Sequence, residues 1–155
     1  MKFCIANIYG PNADDSSFFH SFFTSLSDHM DNTIIIGDFN LPLDSGMDRL
    51  STTGSLRNLQ FTNMNDFGVC DALRFHNPTL REYTFFSPVH HSYSRLDYFL
   101  VSSSLISDIP ETEIHPITIS DHAPVSTTLG YERTTPPSRN WMFNTSLLKD
   151  PDFLN

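Results

Sequence analysis

The chain has 155 residues, which suit one domain, and 39% hydrophobic residues with 14 Phe supply a core of ordinary quality. Nine basic against eighteen acidic residues give a net charge of −9, which argues against a free-standing nucleic-acid binder with a basic face. The charge fits an enzyme that screens its own acids with a divalent cation, or part of a larger assembly. Two cysteines make no disulfide framework, and no segment has the pattern of a signal peptide or the length of a membrane span. We therefore expect an intracellular protein, nuclear or cytoplasmic, with no membrane partner.

The first half of the chain alternates apolar strands with polar loops and contains an amphipathic helix. Residues 3–9 are apolar and end at Gly10-Pro11, which predicts a buried strand and then a loop. Apolar residues at 18, 19, 22, 23 and 26 follow the spacing of a helix that begins with acidic residues. Residues 33–36 have the pattern of the next strand. A loop rich in Gly, Asp and Ser then covers 41–54, and a helix is expected over 56–66.

The second half is predicted to consist mainly of short strands. The expected strands are 69–73 (or a turn), 83–86, 96–101, 111–119 and 123–129, with a helical turn over 102–107. A wide hairpin loop over 87–95, rich in His, Ser and Tyr, joins the second and third of these strands. We place the folded domain at 1–130. Residues 131–155 contain a Thr- and Pro-rich linker and a tail that leads toward a downstream region.

Three of the predicted strands carry an acid or an imidazole at one end. Asp38 comes shortly after the apolar strand at 33–36, and Asp97 lies at the start of the apolar run at 96–101. The adjacent pair Asp121-His122 precedes the last run. Strands that deliver such groups to one edge of a sheet form the plan of an active site.

These side chains suit metal-assisted hydrolysis of a phosphodiester. Asp38 on a rigid strand end can take a proton from a water nucleophile, and the amide of Asn40 can donate to a phosphate or oxyanion. Asp121 suits a hard cation such as Mg²⁺, which prefers oxygen ligands. The imidazole of His122 can contact a phosphoryl oxygen while Asp97 fixes its tautomer.

Each of these residues also has a structural interpretation when it is taken alone. Asp38 is compatible with a turn or a helix cap, and Asp97 with a partner for Arg95 or a strand cap. His122 is compatible with a half-buried histidine whose hydrogen bonds are satisfied. It is the combination of three strand ends that favours an active site.

Five motifs in order connect the chain to a known family. They are NIYGPN (7–12), IGDFN (36–40), EYTFFS (82–87), HHSYSRLD (90–97) and ISDH (119–122). With these motifs the chain resembles the endonuclease/exonuclease/phosphatase superfamily, and within it the endonuclease domain of LINE-1-type non-LTR retrotransposons. The tail from residue 141 to 150 is similar to the segment that follows the nuclease in these polyproteins.

The resemblance implies a fold and a set of catalytic roles. The fold is α/β, a four-layer sandwich of mixed sheets flanked by helices, of which this chain would be the C-terminal half. Asp38 resembles the general acid/base, and Asn40 resembles its phosphate-contacting neighbour. Asp97 resembles the carboxylate that orients the catalytic His122, and Asp121 resembles a metal ligand.

The resemblance also implies contacts with DNA. Tyr9 and Asn12 match positions that contact phosphate near the cut, and Tyr9 is counted with the catalytic residues. Thr84 and Ser120 match supporting or DNA-backbone positions, and Arg95 is counted with them among the substrate-binding residues. The loop over 87–95 resembles a hairpin that probes the DNA groove. The implied cofactor is Mg²⁺, with Mn²⁺ as the alternative ion.

The chain departs from the family pattern at its start. In the family, a strand ending in Asn and a strand carrying a metal-binding Glu lie upstream of the motif with which this chain begins. We therefore expect a fragment without its N-terminal half, with weakened metal binding and an apolar sheet face that has nothing to pack against.

The expected function is that of a retrotransposon-type endonuclease remnant, weak or inactive alone. Its expected partners are DNA and the missing half or the reverse-transcriptase region of a larger polyprotein. One alternative is a non-catalytic binding remnant of the same fold. The other is a phosphoinositide or sphingolipid phosphoesterase of the same superfamily.

Overall fold

The computed structural model describes residues 2–13, 15–50 and 64–130. Within these residues the strands are β1 (Cys4–Tyr9), β2 (Thr33–Asp38), β3 (Arg49–Leu50), β4 (Val69–Asp71), β5 (Phe85–Ser87), β6 (Ser92–Ser94), β7 (Asp97–Ser102), β8 (Glu111–Ile114) and β9 (Val125–Thr128). The α-helices are α1 (Ser16–Ser25) and α2 (Ala72–His76), and 3₁₀ turns cover Ser27–Asn32, Met64–Phe67 and Ile106–Asp108. None of the helices in these residues has the length and apolar character needed to cross a membrane.

The main sheet has the strand order β1-β2-β7-β4. β1 and β2 run parallel, while β7 is antiparallel to both of its neighbours. The β-branched run at 34–36 suits the central strand β2, because such residues pack well on a pleated, buried surface. β2 continues to Asp38, two residues beyond its predicted end, because its ladder with β7 extends until Asp38 lies opposite Asp97.

Helix α1 covers one face of the main sheet. The helix begins at Asp15, whose Oδ1 accepts hydrogen bonds from the backbone N–H groups of Ser17 and Phe18. Phe19 and Phe23 lie about one turn apart and are buried in a core cluster with residues of the sheet. The amphipathic helix predicted from the apolar spacing is confirmed.

Within the described residues, the opposite face of the main sheet is covered at one side only. Ile34 and Val101 are buried there in a second core cluster with Ala72 of α2 and Ile106. Ile5, which pairs with Ile34 in the β1–β2 register, is 68% exposed. The sequence predicts an uncovered sheet face, and among the residues that the structure describes the β1 edge of this face is exposed. The expectation is wrong at β7 and β4, because the chain's own later segments cover them.

The segment from 83 to 101 folds differently from the prediction. A small sheet has the strand order β3-β6-β5, and β6 lies inside the loop predicted over 87–95. β7 does not complete this hairpin but joins the main sheet. The predicted pairing was wrong because the chain crosses from one sheet to the other at Arg95 and Leu96.

The remaining boundaries are shorter or fall outside the described ranges. β8 and β9 form a two-stranded sheet, in which β8 ends at Ile114 rather than at 119. The segment at 69–73 is β4 followed by the start of α2. Most of the helix predicted over 56–66 lies outside the described residues, as do the linker and tail from 131 onward.

Candidate active site

Two acidic side chains meet where β2 ends and β7 begins. Asp38 is the last residue of β2, Asp97 is the first residue of β7, and the antiparallel register places them directly opposite each other. Both side chains are only partly exposed. The ladder of apolar residues behind them fixes this register, since a slip by one residue would turn both carboxylates to the other face.

His122 completes the group from a separate loop. The residue forms an isolated bridge with Phe85, and the two rings lie 4.9 Å apart between centroids. Its Nδ1 is 2.8 Å from Oδ2 of Asp97, and its Nε2 is 3.9 Å from Oδ2 of Asp38. Because an ionised carboxylate can only accept, Nδ1 donates to Asp97 and Nε2 is left facing Asp38.

The environment of Asp38 favours proton uptake. Burial raises the pKa of its carboxyl above the usual range, and the nearby carboxylates of Asp97 and Asp121 raise it further. The hydrogen bond from the Asn40 N–H and the proximity of His122 act in the opposite direction and lower the pKa. A carboxylate with a raised pKa is a stronger general base at neutral pH than an ordinary aspartate.

Asn40 is placed beside Asp38 by the turn that follows β2. Its φ of +54° lies in the left-handed region, and its backbone N–H donates to Oδ1 of Asp38 over 2.8 Å. Its side-chain amide donates to the carbonyl of Gly10 over 2.7 Å. The amide predicted to serve a phosphate thus also ties the loop after β2 to the loop after β1.

Two glycines make this close approach of loops achievable. Gly37 has a φ of +138°, and a Cβ there would lie 1.9 Å from the carbonyl oxygen of Ile8. A Cβ on Gly10 would lie 2.3 Å from the carbonyl oxygen of Phe39. Neither position tolerates a side chain without movement of backbone. From the sequence these glycines were interpreted only as strand and loop boundaries, and their role in bringing β1 against β2 was not predicted.

Tyr9, Asn12, Ser120 and Asp121 are all exposed on the site's outer side. Tyr9 pairs with Asp38 in the β1–β2 register and is 73% exposed, so its ring is accessible next to the acidic pair. The hydroxyl of Ser120 accepts from the N–H of His122 over 3.2 Å. It also donates to the carboxylate of Asp121. Ser120 therefore shapes the loop that presents His122.

Arg95 and Thr84 are both internal supports. This corrects the prediction of Arg95 as a substrate-binding residue, and for Thr84 it favours the supporting alternative over the DNA-backbone one. Arg95 is 2% exposed and its guanidinium contacts Asp48 and Asp71. Burial alone would lower the pKa of Arg95, but Asp71 and its other acidic contacts hold it above the usual range. Thr84 is fully buried, and its hydroxyl accepts from the N–H groups at 96 and 97. Neither side chain is free to reach a ligand.

The alternative pairing of Asp97 with Arg95 is wrong, because Asp97 bonds to His122 instead. Asp48 and Asp71, the two partners of Arg95, were missed by the sequence analysis. Asp71 carried a local signal, since it directly precedes α2 and its carboxylate accepts from the N–H of Arg74 as a helix cap. Asp48 lies in a loop of several similar polar residues, and nothing in that pattern singles it out.

The acidic pair and the imidazole also form a candidate cation site. Asp38, Asp97 and His122 each offer a ligand atom, and these atoms all lie within 4.8 Å of one another. The two carboxylates match the oxygen donors that a hard divalent cation prefers, so the donor set fits such an ion. Asp121, the predicted ligand, is outside this group but close enough to raise the pKa of Asp38.

A comparison with known families identifies the family of this chain. A profile of the endonuclease/exonuclease/phosphatase family matches residues 9–122, which span every motif from Tyr9 to His122. The chain belongs to this family. Family members are generally dependent on a divalent metal. The resemblance to this superfamily proposed from the motifs is confirmed.

A transposon protein is among the relatives. Over 162 residues the chain is 33% identical to the Transposon TX1 uncharacterized 149 kDa protein of Xenopus laevis. The match covers 96% of this chain and 12% of that protein. The chain therefore resembles a small part of a much larger transposon protein.

Solved structures share the fold. The 3'-5' exonuclease NExo from Neisseria meningitidis matches with a TM-score of 0.61 and 22% identity, over 82% of this chain and 61% of that chain. An AP endonuclease from Archaeoglobus fulgidus matches with a TM-score of 0.63 and 17% identity, over 81% and 60%. The α/β fold expected from the motifs is confirmed. The chain spans about 60% of the length of these structures.

Proposed function

We propose that this chain is the catalytic part of a retrotransposon-type, LINE-1-like endonuclease that hydrolyses DNA phosphodiester bonds with a divalent metal. The observation that carries the proposal is the meeting of Asp38, Asp97 and His122 at one edge of the main sheet. The transposon relative supports DNA as the substrate, rather than a phosphoinositide or a sphingolipid. Tyr9, Asn12 and Ser120 are the exposed residues that we assign to phosphate contacts.

In this proposal Asp38 acts on the attacking water. The water oxygen forms a bond to phosphorus and the water proton passes to the Asp38 carboxylate. The bond from phosphorus to the leaving sugar oxygen breaks, and that oxygen keeps the electron pair and takes a proton from solvent to become a hydroxyl. The desolvated position of Asp38 supports this role, because burial raises its pKa and so its affinity for the proton. The N–H of Asn40 holds the second carboxylate oxygen in place.

His122 is assigned to the phosphate. Its Nδ1 is fixed by Asp97 at 2.8 Å, so its Nε2 points into the cleft next to Asp38. When Nε2 also carries a proton, its N–H can donate from this position to a phosphoryl oxygen of a bound phosphodiester. Asp97 acts through His122 by holding the ring in one tautomer and orientation.

The carboxylate of Asp97, with Asp121 near it, would hold the divalent cation, Mg²⁺ or Mn²⁺, while Asp38 stays free to take the water proton. When bound, the cation supplies a Lewis acid for the developing charge on the phosphate. Mg²⁺ usually keeps several waters and takes one or two carboxylates from protein, which these residues can provide. Asp121 is exposed and is expected to strengthen cation binding rather than to create it.

We expect weak or no cleavage by these 155 residues alone. An open groove of about 270 Å³, lined by residues that include Asn7, Ile36, Asp97 and Phe99, runs beside the site on the same sheet face as the exposed Ile5. Additional polypeptide over this groove would exclude water and hold the cation more firmly. We propose that, in a longer polyprotein, upstream residues or the reverse-transcriptase region supply this additional polypeptide.

The test is nicking of supercoiled plasmid with Mg²⁺. The proteins are the 155-residue chain and the same chain fused to the N-terminal half of a related domain, each with an Asp38→Ala control for contaminating nuclease. Nicking by the fusion, lost with Asp38→Ala, supports the proposal. Silence from both proteins, with the fusion folded, contradicts it and favours a binding remnant, which plasmid retention without cleavage would identify.

A further inference from the structure

A buried network of charged residues lies directly beneath the active site. The Nε of Arg95 donates to Asp48 over 2.9 Å, and its Nη1 donates to Asp71 over 3.1 Å. Arg74 also donates to Asp48, over 2.7 Å. Two arginines thus balance two aspartates, and Arg95, Asp48 and Asp71 are all at least nine-tenths buried.

The network lies where the chain crosses from the small sheet to the main sheet. Ser94 ends β6 and Asp97 begins β7, so Arg95 and Leu96 make the whole crossing. The N–H of Arg95 donates to the carbonyl of Asp48 over 2.8 Å. The hydroxyl of Tyr98 donates to the carbonyl of Arg95, and the Arg95 guanidinium lies 4.5 Å from the Tyr98 ring centre.

The crossing is also held from the side of the site. The hydroxyl of Thr84 accepts from the N–H of Leu96 over 2.9 Å and from the N–H of Asp97 over 3.1 Å. The carbonyl of Leu96 accepts from the N–H of Phe39, which directly follows Asp38. Every backbone group in the crossing named here therefore has a partner, and these partners adjoin both site carboxylates.

Stability alone is a weak reason for such a network. A buried ion pair often contributes little compared with apolar residues of similar size, because both charges must first lose their water. Apolar residues in these positions would not fix the direction of the neighbouring backbone and side chains. A guanidinium held by two carboxylates from different segments fixes one geometry of the chain, and this geometry sets where Asp97 points.

We propose that Arg95, with Asp71 and Asp48, is a positioning unit that holds Asp97 in the orientation that pairs it with His122. The proposal rests on the proposed function only for its kinetic consequence; its geometric consequence is independent of any activity. The network also connects the small sheet to the site, because Asp48 precedes β3 and Arg95 follows β6. The same network therefore holds both the small sheet and the crossing that leads to Asp97.

The test uses the full 155-residue chain with Arg95→Met and Asp71→Asn combined. This double variant removes one charge of each sign and leaves Asp48 paired with Arg74. Imidazole NMR reports the Nδ1 proton of His122, assigned by its loss in His122→Gln. We expect this signal to be lost or to exchange rapidly in the double variant. The signal should be retained in the control Arg74→Met, which removes a member of the same network that lies outside the crossing into β7.

A wild-type His122 signal in the folded double variant would overturn the proposal and leave the network a purely structural element. If the double variant does not fold, Arg95→Lys takes its place, since Lys keeps the charge but not the fork of hydrogen bonds. Retention of the signal in Arg95→Lys would then overturn the proposal. In the fused, active form we expect kcat to fall on the order of 10²-fold with KM unchanged. Absence of cleavage by the unmutated fusion would contradict the proposed function while leaving the NMR result decisive.

Discussion

The candidate active site is carried by two regions that differ in how firmly they are held. Asp38 and Asp97 sit on β2 and β7, inside a ladder backed by buried Ile35 and Leu100. The loop that carries His122 is mostly exposed from residue 116 to 121. It is tied to β5 through backbone bonds, from Phe86 to Asp121 and from Ala123 to Thr84, among others. Both regions carry clear sequence motifs, but the strands hold their side chains more firmly than the loop does.

The difference suggests a division of labour. The strand-borne carboxylates set the fixed geometry of the site, because moving either of them requires breaking the sheet. The loop-borne Asp121 and His122 can adjust when a phosphate or a cation arrives, apart from the hydrogen bond that holds His122 to Asp97. Substitutions on the two sides should accordingly differ in whether they damage the fold or only the chemistry.

The largest effect is expected at Gly37 on the strand side. Gly37→Ala places a Cβ against the carbonyl oxygen of Ile8 at a φ that L-residues rarely adopt, so we expect a loss of more than about 4 kcal/mol in the free energy of unfolding. Gly68→Ala is the matched control, because its φ is +66° but nothing lies within 4 Å of the added Cβ. That control should lose only about 1–2 kcal/mol. Urea unfolding measures both; equal losses would contradict the close approach of β1 and β2.

The next effect separates the two sides in catalysis. In the fused form, Asp97→Asn should lower the nicking rate about 10²–10⁴-fold, because His122 loses the carboxylate that fixes its tautomer. Asp121→Asn should instead raise the Mg²⁺ concentration needed for half-maximal rate on the order of tenfold, with the rate restored at saturating Mg²⁺. Rate measurements across a Mg²⁺ titration distinguish the two. An Asp97→Asn variant restored to the full parent rate at saturating Mg²⁺ would show that Asp97 acts only as a cation ligand and not by orienting His122.

A smaller effect compares two hydroxyls that support the site. Thr84→Val leaves two buried N–H groups without their acceptor, so we expect a loss of about 1–3 kcal/mol in stability. Ser120→Ala removes an exposed hydroxyl on the loop side, and its stability should change by no more than about 0.5 kcal/mol. Denaturant unfolding of the two variants measures this difference in stability. A Ser120→Ala loss as large as that of Thr84→Val would contradict the contrast between the strand side and the loop side.

The smallest effect lies at the start of α1, behind the strand side. The hydrogen bond from the Ser17 hydroxyl, followed by the backbone N–H of Phe18, lowers the pKa of Asp15 below its usual 3.8. A lowered folded-state pKa stabilises the fold above the unfolded value, and that contribution is lost as the pH falls through the folded value. Wild type should therefore lose stability relative to Asp15→Asn as the pH falls from about 5 through 3.8 and below. Parallel pH profiles of the two proteins would contradict this assignment.

The strand ends were predictable because their signals are local. An apolar run followed by Asp38, or preceded by Asp97, indicates both a buried strand and a polar end, and the structure places the two residues opposite each other. The helix α1 was predictable for the same reason, since its apolar spacing and its cap lie within a few residues of one another.

The burial of Arg95 could not be predicted from its neighbours. Its partners Asp48 and Asp71 lie 47 and 24 residues away in the chain, and only the folded topology brings them together. The same crossing explains the incorrect hairpin, because the pattern at 87–101 does not show that the chain changes sheets after Ser94. Long-range polar pairing, rather than local propensity, determines both the burial of Arg95 and the change of sheet.

The most direct test of the central claim is Mg²⁺-dependent plasmid nicking by the fused form beside its His122→Ala variant. The two proteins should unfold at similar denaturant concentrations, since His122 lies on the loop side. The account predicts nicking by the parent and none above background by the variant. Equal nicking by both would contradict the assignment of the Asp38–Asp97–His122 group as the site of phosphodiester hydrolysis.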